Sequence, residues 1–148
     1  MENKSEAAKK YFMQGYNCAQ AVLLAFADEL QIDKEFALKL ASPFGGGMGG
    51  QREVCGAVSA MFIAAGLKRG YSDAKNPEEK KRLYALIKEL SDKFKAENGS
   101  IVCKELLRLQ NKDTLIEKTC LDASNDKSYK KRSCAEITAF AAELLQGI

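Results

Sequence analysis

Residues 53–67 read Glu53-Val54-Cys55-Gly56-Ala57-Val58-Ser59-Ala60-Met61-Phe62-Ile63-Ala64-Ala65-Gly66-Leu67, and this run decides the fold. Its apolar residues fall on nearly every side at helical spacing, which predicts a central helix buried all round. Lys68, Arg69 and Gly70 close it. A helix with no wet face needs other helices to cover it, so an all-α bundle of about six or seven helices packed around residues 53–67 is expected.

Working outward, the remaining periodic stretches supply the cover. Ala8, Tyr11 and Phe12 open an apolar stripe that continues through Cys18, Ala19, Val22, Leu23, Phe26 and Leu30. Gly15 and Asn17 divide it into a helix near residues 4–14 and a second from Cys18 to about Leu30, with Asn17 and Gln20 forming a capping box. Asp33 caps a short helix with Phe36, Ala37 and Leu40 inward, ended at Ser42-Pro43. Asn76-Pro77-Glu78-Glu79 starts a helix whose apolar face is Leu83, Leu86, Ile87, Leu90 and Phe94, and Asn98-Gly99 ends it. Ser100 caps a helix carrying Ile101, Val102, Leu106 and Leu107. Residues 110–132 are polar, with a short turn of helix expected near Leu115 and Ile116. Ser133-Cys134-Ala135-Glu136 is a capping box opening the last helix, with Ile137, Phe140, Ala141, Leu144 and Leu145 inward. Prolines number only two and alternating patterns are missing, so strand signals are weak.

The 148 residues suit one domain with one core, 1–148, and 46% hydrophobic with 29% charged residues is ordinary globular usage. No apolar run reaches the roughly 18 residues of a membrane span, and the charged start is unlike a secretion signal, so a cytoplasmic protein is expected. Lys80-Lys81-Arg82 and Lys130-Lys131-Arg132 are compact basic runs in a chain of net charge +3. Neither is accompanied by an aromatic platform, so both read as solvated helix ends and no nucleic-acid partner is expected.

Histidine is absent altogether, which removes Cys-His and Ser-His catalysis and every histidine-ligated metal. The five cysteines are an odd number, which argues against a static disulfide framework. Cys18, Cys55, Cys103 and Cys134 each fall near a predicted helix start, where the dipole and free N–H groups favour thiolate over thiol. Such positions suit a reactive or metal-ligating cysteine. Packing as small apolar side chains is the plain alternative, and would make the chain a helical interaction domain. Cys120 lies in the polar stretch without such placement.

No two cysteines form a Cys-x-x-Cys, so a zinc ribbon is not indicated. Dispersed thiolates crowded together repel unless a cation sits among them, so four in one cluster would favour zinc or an iron–sulfur cluster, and separated pairs would favour dithiol–disulfide exchange without a cofactor. Before the central helix runs Phe44-Gly45-Gly46-Gly47-Met48-Gly49-Gly50-Gln51-Arg52. Gly45, Gly46, Gly47, Gly49, Gly50 and Arg52 are candidate cofactor-binding residues, because glycines let backbone N–H groups approach a thiol or a bound centre. The loop lacks the Gly-Lys-Ser/Thr ending of a phosphate-binding loop and follows a helix, which disfavours a nucleotide.

These segments resemble the C_GCAxxG_C_C family of redox-active proteins. Gly15 to Val22 is similar to its first cysteine segment, Phe44 to Gly50 to its glycine loop, Val54-Cys55-Gly56-Ala57-Val58 to its central motif, Ser100 to Leu107 to its third segment, and Cys134 to its fourth cysteine. Ala60 stands where the motif ends in glycine, and Cys120 is additional. The resemblance implies a redox role resting on cysteines, an oxidoreductase or electron-transfer accessory with a redox partner. The residues themselves leave two classes open: a thiol redox protein with Cys55 as nucleophile and Cys18, Cys103 or Cys134 resolving it, or a binding module holding a metal on the same four cysteines. In either case the four sulfurs are expected to meet on one side of the 53–67 helix beside the glycine loop, with Cys120 apart. A homodimer is compatible with a domain of this kind.

Overall fold

The computed structural model describes residues 3–110 and 133–148. Cys120, Lys130-Lys131-Arg132 and the helical turn expected near Leu115 and Ile116 lie outside the described residues. Within them the protein is an all-α bundle. Asn3 caps α1 (Lys4–Met13) by accepting hydrogen bonds from the Ser5 and Glu6 amides, and Ala8 and Phe12 turn its buried face inward. Gly15, at φ 111°, redirects the chain into α2 (Cys18–Phe26). The capping box forms as expected: the Gln20 amide donates to Asn17 Oδ1, and the Asn17 amide to Gln20 Oε1.

Eight of the nine residues of α2 are buried. It packs on α1, α3, α5 and the last helix, and so shares the centre of the bundle with α5 (Gly56–Arg69). The second helix ends at Phe26 instead of continuing to Leu30. A turn follows in which Gln31 takes a positive φ and the Ile32 amide reaches back to the Ala27 carbonyl, a hydrogen-bonded stop set by backbone geometry rather than by the apolar stripe.

Asp33 caps α3 (Lys34–Ala41) through the Phe36 amide. Its inward face differs from the expectation. Ala37 and Ala41 are buried, whereas Phe36 and Leu40 are exposed. Alanines let α3 lie close to α2, and the close approach leaves no room for larger side chains on that face. A 3-10 turn (Ser42–Phe44) leads into a short turn, α4 (Gly45–Met48).

The central helix starts three residues later than expected. Glu53 and Val54 stay extended because Val54 forms an antiparallel bridge with Val102. In α5 the deepest residues are Ala57, Val58, Ala60, Met61, Ala64 and Ala65, while Leu67 is exposed near its end. Asn76 caps α6 (Pro77–Asn98), Leu90 and Phe94 are its buried anchors, and Gly99 ends it at φ 93°. Next come α7 (Cys103–Gln110) and α8 (Cys134–Gln146), the second opened by the expected Ser133–Glu136 capping box. Helix α8 packs on α1, α2 and α5, so α2, α5 and α8 touch one another pairwise. No helix among the described residues is long and apolar enough to cross a membrane.

Candidate functional site

The candidate site grows from four helix starts. Cys18, Cys103 and Cys134 are the first residues of α2, α7 and α8, and Cys55 is the N-cap of α5. All four are thiols, not halves of disulfides, and all four are buried. Their exposures of 2% for Cys18, 6% for Cys55, 4% for Cys103 and 6% for Cys134 leave little direct access for any reagent.

The glycine segment that positions them is a left-handed turn. Gly46, Gly47, Met48, Gly49 and Gly50 all have positive φ, and the Gly49 amide donates to the Gly45 carbonyl four residues back. Left-handed turns crowd Cβ against the following carbonyl, which is why this one is nearly all glycine. It is sewn to the strand-like segment after it: the Arg52 amide donates to the Gly46 carbonyl and the Glu53 amide to the Gly47 carbonyl. That segment is in turn paired with the start of α7, through Cys55 N–H to the Ile101 carbonyl at 2.7 Å and Cys103 N–H to the Glu53 carbonyl at 2.6 Å.

The pairing was missed in the sequence reading, although the sequence carries a signal for it. The dipeptide Val-Cys occurs twice, at Val54-Cys55 and Val102-Cys103, and the two β-branched residues face each other in the bridge. For the same reason α7 begins at Cys103 and not just after Ser100. Ser100 Oγ accepts from the Val102 amide and donates to Glu105, closing the turn before the helix.

Two glycines make room for sulfur. A Cβ on Gly47 would stand 2.7 Å from both the Arg52 Cα and the Cys103 Cβ, so the left-handed turn lies directly on Cys103. A Cβ on Gly56 would stand 2.5 Å from the Cys18 sulfur and 2.7 Å from the Phe44 carbonyl oxygen, so Cys18 sits against the first turn of α5. The expected close approach of the glycine loop to a thiol is present, with Cys103 as the thiol. Arg52 joins it there, its Nη1 donating to the Cys103 sulfur at 3.9 Å.

Cys18 and Cys55 are hydrogen-bonded to each other, and Cys134 is close enough for its charge to act on Cys55. Cys103 lies under the glycine turn with Arg52. The Cys55 thiol is held well above the ordinary cysteine range. Its hydrogen bond with Cys18 is the largest cause, burial the next, followed by the negative charges that Cys18 and Cys134 acquire on ionising; the Val58 amide pulls weakly the other way. The expectation that a helix start favours thiolate is therefore reversed at Cys55. Cys55 is the cap itself, and burial beside a second sulfur outweighs both the Val58 amide and the dipole. A hydrogen bond that raises the pKa favours the protonated form of Cys55.

Among the described residues, no group of three or more cysteine, aspartate or glutamate side chains is arranged to hold a metal ion.

Local structure at Cys18 depends on Asn17, which caps α2, donates through Nδ2 to the Ser42 carbonyl at 3.2 Å and abuts Gly45. Asn17→Ala is expected to lower stability by about 1 kcal/mol, the usual cost of a lost cap. Urea unfolding of the reduced protein checks this; an unchanged midpoint would show that the box contributes nothing.

No match was found among curated proteins or among solved structures. A family described as "Putative redox-active protein (C_GCAxxG_C_C)" matches residues 16–148. The match takes in the Asn17 cap, the left-handed glycine turn and all four cysteines of the helix starts, and the chain belongs to this C_GCAxxG_C_C family of redox-active proteins.

Proposed function

We propose that the protein performs dithiol–disulfide exchange, with Cys18 and Cys55 as the reacting pair. The observation that carries this reading is the approach of the Cys18 sulfur to the first turn of α5, 2.5 Å from where a Cβ on Gly56 would stand and so beside Cys55, and the hydrogen bond between the two thiols agrees with it. Adjacent sulfurs need only a short approach to reach the S–S length of about 2.05 Å.

Roles follow from the proton. With Cys55 holding its proton, Cys18 takes the attacking role, giving its own proton to solvent as it attacks a partner disulfide. One partner sulfur leaves as a thiolate and takes the Cys55 proton. Cys55 then attacks the Cys18 sulfur of the mixed disulfide and releases the second partner sulfur. The protein dithiol is oxidised to a disulfide, and one partner disulfide is reduced to two thiols. This assignment exchanges the roles of attacking and resolving cysteine expected from helix position alone. Near-complete burial of both sulfurs means that the helix starts must part locally before a partner disulfide, small or carried on an extended segment, reaches Cys18.

Equilibration of the reduced protein with oxidised glutathione, followed by peptide mass mapping, tests the proposal. A Cys18–Cys55 linkage is the expected product, lost in Cys18→Ser and in Cys55→Ser. Full alkylation of both cysteines after oxidation, in protein that remains helical, would remove the basis for exchange. Metal analysis of anaerobically purified protein is the companion measurement, and stoichiometric zinc or iron would favour the binding module instead.

A further inference from the structure

Cys134 has no part in that reaction, yet its helix is packed against both helices that carry the reacting pair. α2, α5 and α8 contact one another pairwise, and each begins at a buried cysteine: Cys18, Cys55 at the cap, and Cys134. The start of α8 is firmly built. Ser133 and Glu136 form its capping box, and the buried Thr138 hydroxyl donates to the Cys134 carbonyl at 2.8 Å. Cys103 is held differently, pinned by the Val54–Val102 bridge and directed to Arg52. The far ends of the three helices meet at Lys68, whose Nζ donates to the Leu145 carbonyl at 3.2 Å and lies over the Phe26 ring, so the helices run in the same sense and their cysteine-bearing starts fall at one end of the bundle. At that end the Cys18 sulfur lies against Gly56, the residue after Cys55, and the charge of Cys134 acts on Cys55.

We propose that Cys134 is the third member of a thiol relay in which Cys55 is the shared sulfur. The inference rests on the exchange reaction above. Once Cys18–Cys55 has formed, the Cys134 thiolate attacks the Cys55 sulfur. The Cys55–Cys134 bond forms as the Cys18–Cys55 bond breaks, and the electron pair leaves on Cys18, which takes up the proton Cys134 gave up. Neither oxidant nor reductant is consumed. The relay returns Cys18 to its thiol form while the chain retains its oxidising equivalent, so Cys18 is again available for a partner.

Disulfide mapping in a glutathione redox buffer tests this, using the full chain with Cys120→Ser to remove the additional thiol. Both Cys18–Cys55 and Cys55–Cys134 linkages are expected in the parent. In Cys18→Ser the Cys55–Cys134 linkage should rise several-fold, and Cys134→Ser should retain Cys18–Cys55 alone. Cys18–Cys55 as the sole linkage in the parent overturns the relay and leaves the exchange reaction standing. Absence of both linkages removes the exchange reaction as well. If Cys18→Ser does not fold by circular dichroism, mapping of the parent decides the question.

Discussion

Gly47→Ala is expected to destabilise the protein by about 2–5 kcal/mol, more than any other single methyl added to the glycine segment. Two costs combine. Gly47 has φ 72°, where an L side chain costs roughly 1–2 kcal/mol. The new Cβ would also stand 2.7 Å from the Arg52 Cα, a backbone atom that cannot swing aside, and 2.7 Å from the Cys103 Cβ. Overpacking of this kind costs typically about 1–3 kcal/mol. Gly50→Ala separates the two, since Gly50 has φ 82° but nothing within 4 Å of its built Cβ. It should show the conformational cost alone. Urea denaturation of both variants in reductant checks the difference. Equal losses would mean that Gly47 serves only the left-handed turn and that its contact with Cys103 carries no energy.

The contrast between those glycines marks how far the sequence could be read. The five glycines around Met48 announce unusual backbone, because glycine takes left-handed conformations at no steric cost. Which glycine touches a thiol depends on the chain folding back at Val102, far along the sequence, and no local pattern encodes that. Helix starts were legible at Asn17, Asp33, Asn76 and Ser133 because a cap bonds to an amide only a few residues ahead. Ser100 misled because its hydroxyl serves a turn before α7 rather than the helix itself.

Faces were less legible than starts. Phe36 and Leu40 share the helical period of Ala37 and Ala41, and periodicity identifies a stripe without deciding whether bulk or closeness wins against α2. The site shows the same limit in its electrostatics. The helix dipole can be read from sequence and points toward thiolate. The neighbour that reverses it at Cys55 is Cys18, brought there by the packing of α2 on α5 and admitted by the missing side chain of Gly56. The cysteines as a set predict proximity of sulfurs; the hydrogen bond of Arg52 to Cys103 has no counterpart in that pattern.

Stability should fall steeply as pH rises above about 8.5, and Cys55 should account for a measurable share of the fall. An unfolded cysteine ionises near pH 8.5, whereas in the folded protein the Cys18 hydrogen bond, burial and neighbouring thiolates hold the Cys55 proton to higher pH. Below the unfolded pKa both states keep the proton, and the contribution is fully present. Above it the unfolded chain releases a proton that the native state retains, so unfolding is favoured by up to about 1.4 kcal/mol for each further pH unit. The loss continues until native Cys55 itself ionises. Over one to two units this amounts to roughly 1–3 kcal/mol, comparable to the removal of a buried hydrogen-bonding group. Urea midpoints of the reduced protein and of Cys55→Ala, measured from pH 7.5 to 10, isolate the effect, because lysine and tyrosine titrations are common to both chains. The parent curve should descend toward that of the variant as pH rises. Parallel curves would mean that Cys55 ionises as readily in the native protein as in the unfolded chain, and the shared proton between Cys18 and Cys55 would have to be abandoned.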